Sequence, residues 1–399
     1  MNMFLLCYRL IVTTFQDLPN EMIYEILDYL DVCHSFESFF SLNDRFLRLL
    51  IQSPLPFKMD LSIISKKLFH QCSTSLIDPN QHRIVSLRLS NPLSIELFFS
   101  SFSLNQNFSQ LECLVFNQID SNRLPSILTS LASLPRLHSL TINHNIEICD
   151  STPIYRLIFR LPFLKSCVLS PKSYGASLSL CLATNELSPL EHLSINRYCS
   201  LDQFVCLLSY TPELRRLSCL SLTERVNPRM DLSRRWTKVT NISLKLWRLS
   251  FDSFQLLCSA CFHDLQVLSI STRADDHYLI ADRWEQLIVR YLPRLRRFDF
   301  QHYWEPVDNN DIEQRTYHLL IDRFTTSFWI DRQWFFAHQH FSRRGIRDAV
   351  FYSTHPYRSV SLLYMIRCAL KDQRLLSLSL QTKSLRTART RPQRRVSTP

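Results

Sequence analysis

The residues best equipped for chemistry are few and scattered. Cys258 and Cys261 form a C-x-x-C followed by His263, which is how a thiolate–imidazole metal set begins. A closed zinc site needs four such ligands, and no second C-x-x-C or histidine pair stands at a usable spacing. Two cysteines three apart on a helix share one face, so the pair reads as core and no metal site is expected. His338 and His340 lie among Trp329, Trp334, Phe335, Phe336 and Phe341, beside Arg332, Arg343 and Arg344. Rings next to guanidinium groups could stack single-stranded nucleic acid. Rings that run together, rather than alternating with basic residues, suit the closing of an exposed core better. Only two glycines occur, Gly175 and Gly345. Phosphate-cradling loops need several, because a Cβ keeps backbone amides from closing on the anion. No nucleophile, base and orienting group can be paired by spacing either, so no catalytic residue, no enzyme activity and no cofactor are expected.

What must hold these residues is a globular chain. It has 399 residues, 46% hydrophobic and 20% charged, enough for two or three domains and a sizeable core. The formal charge is +11, but six of those eleven charges sit at Lys383, Arg386, Arg389, Arg391, Arg394 and Arg395, in a stretch without acids. That tail has no apolar period and reads as solvated, with a nuclear-import or anionic-surface patch as the alternative. Thirteen cysteines without framework spacing read as reduced, buried thiols in a cytoplasmic or nuclear protein. The opening run MNMFLLCYRLIV is interrupted by Arg9 and lacks a preceding basic residue, so it is not read as a secretory leader. No stretch is apolar for long enough to predict a membrane span. Asn107 and Asn241 stand in N-x-S sequons, and Asn241 falls inside a predicted strand.

A repeat organises the middle of the chain. A pattern of apolar, two residues, apolar, one residue, apolar begins at Ile84, Leu111, Leu137, Leu164, Leu190, Leu214, Val239, Leu265 and Leu295. The spacings are 27, 26, 27, 26, 24, 25, 26 and 30 residues. The last two apolar positions are two apart and share one face of a strand. Between them lie helical periods, such as Ile95, Phe98, Phe99 and Phe102, or Trp284, Leu287, Ile288 and Tyr291. Pro135, Pro162, Pro189, Pro212 and Pro293 precede strand motifs and would end each helix. A strand and a helix in so constant a period predict a curved stack in which neighbours share one core, with an ordinary α/β domain as the rival. Alternating residues would then line the inner surface. They include Arg88, Asn143, His192, Asn196, Lys245, Arg297 and Asp299, the expected target-binding set.

Residues 15–30 read FQDLPNEMIYEILDYL. Asp17 is placed to cap a helix with Pro19 in its first turn, and Met22, Ile23, Ile26, Leu27 and Leu30 to form an apolar stripe. A second amphipathic run carries Phe36, Phe39, Phe40, Phe46, Leu47 and Leu50, joined to the first by Asp31 to His34.

Leu18, Pro19, Glu21, Ile23, Ile26, Leu27 and Leu30 resemble the opening of an F-box, a small three-helix module. The repeats over residues 81–302 resemble leucine-rich repeats of the looser intracellular kind; only Asn145 holds the family's usual Asn or Cys place. Together the two resemblances imply a non-catalytic substrate receptor of a cullin-RING ubiquitin ligase. The F-box would dock on a Skp-type adaptor through Leu18, Pro19, Ile23, Ile26, Leu27 and Leu30, and the repeats would hold an unidentified target protein. Two other readings stay open: a repeat scaffold that binds a partner without recruiting a ligase, and an RNA-associated repeat protein. The expected fold is therefore α/β. It comprises a helical module at 15–55, a connector at 56–80, a parallel-sheet solenoid with outer helices at 81–302, an aromatic cap at 303–382, and a basic tail at 383–399.

Overall fold

The computed structural model describes residues 15–39, 44–52, 54–120, 122–144, 152–171, 182–183, 187–224, 238–273, 275–304, 311–343 and 346–354. The opening apolar run, Phe40, Asn145, both glycines and the basic tail lie outside the described residues, as do residues 355–382 of the expected cap. The chain divides into two compact units, one of Met1–Leu249 with Ser253–Leu265 and one of Ser250–Asp252 with Gln266–Pro399.

The first unit opens with a 3-10 turn, Phe15–Asp17, and three short helices, α1 (Asn20–Asp28), α2 (Val32–Phe39) and α3 (Asp44–Gln52). The stretch expected to be a connector instead contributes a strand, β1 (Phe57–Asp60), and the helices α4 (Lys66–Cys72) and α5 (Asp78–Asn80). The repeat follows: β2 (Ile84–Leu89), α6 (Pro92–Ser101), β3 (Cys113–Ile119), α7 (Leu124–Leu131), β4 (Ser139–His144), α8 (Thr152–Phe159), β5 (Ser166–Pro171), β6 (His192–Ser200), α9 (Leu201–Tyr210), β7 (Arg216–Thr223) and β8 (Asn241–Leu246). Next comes α10 (Phe251–Cys261), which carries Cys258 and Cys261 on its buried face.

The eight strands among the described residues of this unit run parallel, each beside the next in chain order. The register puts the same repeat positions side by side. Leu87, Leu114, Leu140, Cys167, Leu193, Leu217 and Ile242 form one row, and Leu89, Phe116, Ile142, Leu169, Ile195, Cys219 and Leu244 the next. Every member of both rows is buried. The helices cover this face, as where Phe99 of α6 meets Phe116 of β3 and Phe159 of α8 stacks on Tyr210 of α9. Burial of that one face explains why the intervening residues are free to be polar.

The second unit comprises β9 (Val267–Arg273), α11 (Ala281–Tyr291), β10 (Arg297–Trp304), α12 (Asp311–Ile321), α13 (Ser327–Asp331), β11 (Phe336–Arg343) and β12 (Ile346–Ser353). β9 and β10 pair in parallel with Leu268 beside Phe298 and Ile270 beside Phe300, so the apolar rows recur here. β12 then pairs antiparallel with both β10 and β11. The architecture is thus mixed α/β with mostly parallel strands, and the antiparallel ribbon lies in the stretch expected to be an aromatic cap. Its core is aromatic: Trp284, Phe298, Phe300, Phe324, Trp329, Trp334, Phe336 and Phe351 form a chain of ring contacts.

Candidate functional site

The helical module is held by contacts from α3 and by its own apolar seam. Ile23 and Leu27, one turn apart on α1, are buried at 0% and 8% exposure. They form the inner seam and offer a partner nothing, so the expected six-residue docking set is smaller than the apolar pattern implied. Pro19 and Leu30 are exposed, while Leu18 and Ile26 are half-buried. Met22 and Tyr29, not in the expected set, complete an outer stripe at positions 19, 22, 26, 29 and 30. Met22 and Ile26 lie one turn apart on the helix, Pro19 and Tyr29 are its caps, and Leu30 follows just beyond. The two seams are interleaved along one sequence, and hydrophobicity alone does not separate them.

Asp17 lies in the turn before the helix, and Pro19 takes the cap position without any side-chain bond to the first turn. The segment is fixed by Arg45 of α3 instead. Its guanidinium donates to the carbonyls of Gln16 and Leu18, the latter at 2.8 Å, and to Asn20 Oδ1 at 2.7 Å. Phe15, Phe39 and Phe46 pack their rings together below it, with centroids 5.1–6.2 Å apart. Asp31, expected within a linker, caps α2: its Oδ1 accepts the amides of Cys33 and His34 at 2.9 and 3.0 Å. Val32 to His34 are accordingly already helical.

The polar face of the parallel strands is the second part of the site. Asn117 Nδ2 donates to Ser90 Oγ at 2.8 Å, Asn143 Nδ2 donates to Asn117 Oδ1, and Asn196 Nδ2 donates to Ser170 Oγ at 2.8 Å. These residues each follow the third apolar position of their repeat, so the polar row is in register with the core rows behind it. An amide side chain can donate and accept at once, which is what lets such a row continue from strand to strand. Of the expected target-binding residues, Asn143 and Asn196 belong to this row. Arg88, Lys245 and Arg297 are exposed and His192 is half-buried. Asp299 is occupied by the fold: it accepts from Ser269 and from Ser353, both at 2.9 Å.

The remaining sequence features settle inside the structure. Cys258 and Cys261 are buried and form no disulfide, and burial pushes the Cys261 thiol up to about 12. Trp329 and Trp334 are buried in the ring cluster of the second unit and cannot stack bases, whereas Phe335 is exposed. No described helix is long and apolar enough to cross a membrane. No protein-family model matches the chain, and no curated protein matches it significantly.

Proposed function

We propose that this chain is a non-catalytic substrate receptor. An F-box at its N-terminal module docks on a Skp-type adaptor of a cullin complex, and a leucine-rich-repeat-like solenoid presents a target protein for ubiquitination. The observation that carries the reading is the run of exposed Pro19, Met22, Tyr29 and Leu30 with half-buried Ile26, on and just beyond the ends of a helix whose neighbouring seam is already buried. A small module that leaves such a stripe uncovered has a surface for a partner. The in-register polar face supports the second half of the reading, since rows of amides and hydroxyls suit hydrogen bonding to a protein surface. A receptor of this kind acts by proximity, raising the effective concentration of a target lysine without bond chemistry of its own.

The full chain is expected to retain a Skp-type adaptor in a pull-down. Replacing Pro19, Met22 and Leu30 together by Ala should lower that retention about tenfold or more, the loss of at least one apolar anchor. No retention by the unaltered chain would overturn the reading and leave a repeat scaffold without ligase recruitment, which the polar face supports on its own. The buried Trp329 and Trp334 weigh against the RNA-associated alternative.

A further inference from the structure

Three imidazoles in the second unit stand outside the reading above. His338 and His340 are two apart on β11, so both side chains leave the strand on one side. α12 brings His318 to them, and the three rings lie 5.0, 5.2 and 5.4 Å apart between centroids. Tyr317, the neighbour of His318 on α12, meets all three rings edge-on and gives the cluster an aromatic wall. One ligating nitrogen from each histidine lies within 4.8 Å of the other two. None of the three makes a hydrogen bond to another described residue. Protonated imidazoles so close repel, whereas neutral ones can each turn a lone pair to a shared cation, which binds all three.

We propose that His318, His338 and His340 bind one divalent cation of the Zn²⁺ class, with a fourth position open to water. The donor set decides the class. Three imidazoles without thiolate suit Zn²⁺, Co²⁺, Ni²⁺ or Cu²⁺ and disfavour Mg²⁺ and Ca²⁺, which take oxygen ligands. Tetrahedral bonds of about 2.0–2.1 Å place ligand nitrogens about 3.3 Å apart, so the rings must close by at most about 1.5 Å. The strand itself is held, with His338 opposite Phe351 and His340 opposite Ala349 in the ladder to β12. Closure is therefore a matter of side-chain torsion, for which the exposed His338 has room.

The test uses the full chain, stripped with a chelator and then titrated with Zn²⁺ and, separately, with Co²⁺. Unaltered protein should bind one Zn²⁺ more per chain than the His338→Ala, His340→Ala double variant. Its Co²⁺ form should show visible ligand-field bands without the near-ultraviolet thiolate band. The single His338→Ala variant, which changes an exposed residue, should weaken binding at least about tenfold, the expected scale for losing one of three ligands. His192→Ala should bind as the unaltered chain does, and Mg²⁺ should not compete. Equal Zn²⁺ stoichiometry in the unaltered chain and the double variant would overturn the proposal. So would a cobalt spectrum dominated by thiolate, which would move the metal to the cysteines.

Discussion

Asp275 shows how much one carboxylate can organise. Its Oδ2 accepts the amide of Phe251 at 2.8 Å, and its Oδ1 accepts the amide of His277 at 3.0 Å and faces His277 Nδ1 at 2.7 Å. Burial pushes the carboxyl up, but these donors outweigh it and hold the group below the usual carboxylate range. A depressed folded-state value stabilises the fold above the unfolded value of about 3.9 and ceases to do so as pH falls through the folded one. Asp275→Asn should therefore lower the urea midpoint relative to the unaltered chain at pH 7 and pH 5, with the gap closing below about pH 4. A gap unchanged at pH 3 would refute this. Such roles leave no trace in sequence, because Phe251 precedes Asp275 by a helix and a strand. The same holds for Arg45, whose acceptors lie 25 to 29 residues upstream. His338 and His340 were visible as a pair, but their third companion sits on another element, and the pair was read with its aromatic neighbours.

Among elements, the ones with a period were legible. Each apolar triplet became a strand, and the helical periods at Ile95 and Trp284 became α6 and α11. The elements without one were not. β1 has four residues, too few for an alternation to stand out, and β11 carries polar residues on both faces, with His338 and His340 on one and Gln339 on the other. Turns are the other obscure point, because left-handed positions usually announce themselves through glycine. Here non-glycine residues take them: Gln118, Arg248 and Gln333 have φ of 62°, 58° and 57°. Gln333 closes α13, where its amide bonds to Ile330 and that of Trp334 to Trp329. A Cβ in this region costs about 1–2 kcal/mol, part of which glycine returns through unfolded-state entropy. Gln333→Gly should stabilise the chain by about 0.5–1 kcal/mol in chemical denaturation. A destabilised variant would show that the side chain itself contributes there.

At the scale of the whole molecule, the stacked rows make stability depend on position along the row. Leu140 is fully buried with Leu114 on one side and Cys167 on the other, so a cavity there has structure all round it. Met59 on the end strand β1 has only Leu87 beside it in the sheet. Leu140→Ala should cost about 2–5 kcal/mol, and Met59→Ala less, because an end site collapses more easily. Denaturation midpoints compare the two directly, and an equal or reversed order would rule out the row as the unit of stability. The rows were foreseeable from the 24- to 30-residue spacing, which also put Asn143 and Asn196 on the inner surface, whereas Asn117 and the hydrogen bonds that join these amides into a row were not. They stand one residue past each triplet, not at the Asn145 place.

Arg83 has a consequence for how the molecule handles force. It donates to the carbonyls of Ile51 and Leu55 and to Asn80 Oδ1, all at 2.9 Å, while its guanidinium lies 4.1 Å over the ring of Phe57. One side chain thus clamps the end of the helical module to the beginning of the sheet. A clamp of that kind turns a hinge into a bracket. Whatever the module is bolted to, the first strands keep a fixed bearing relative to it.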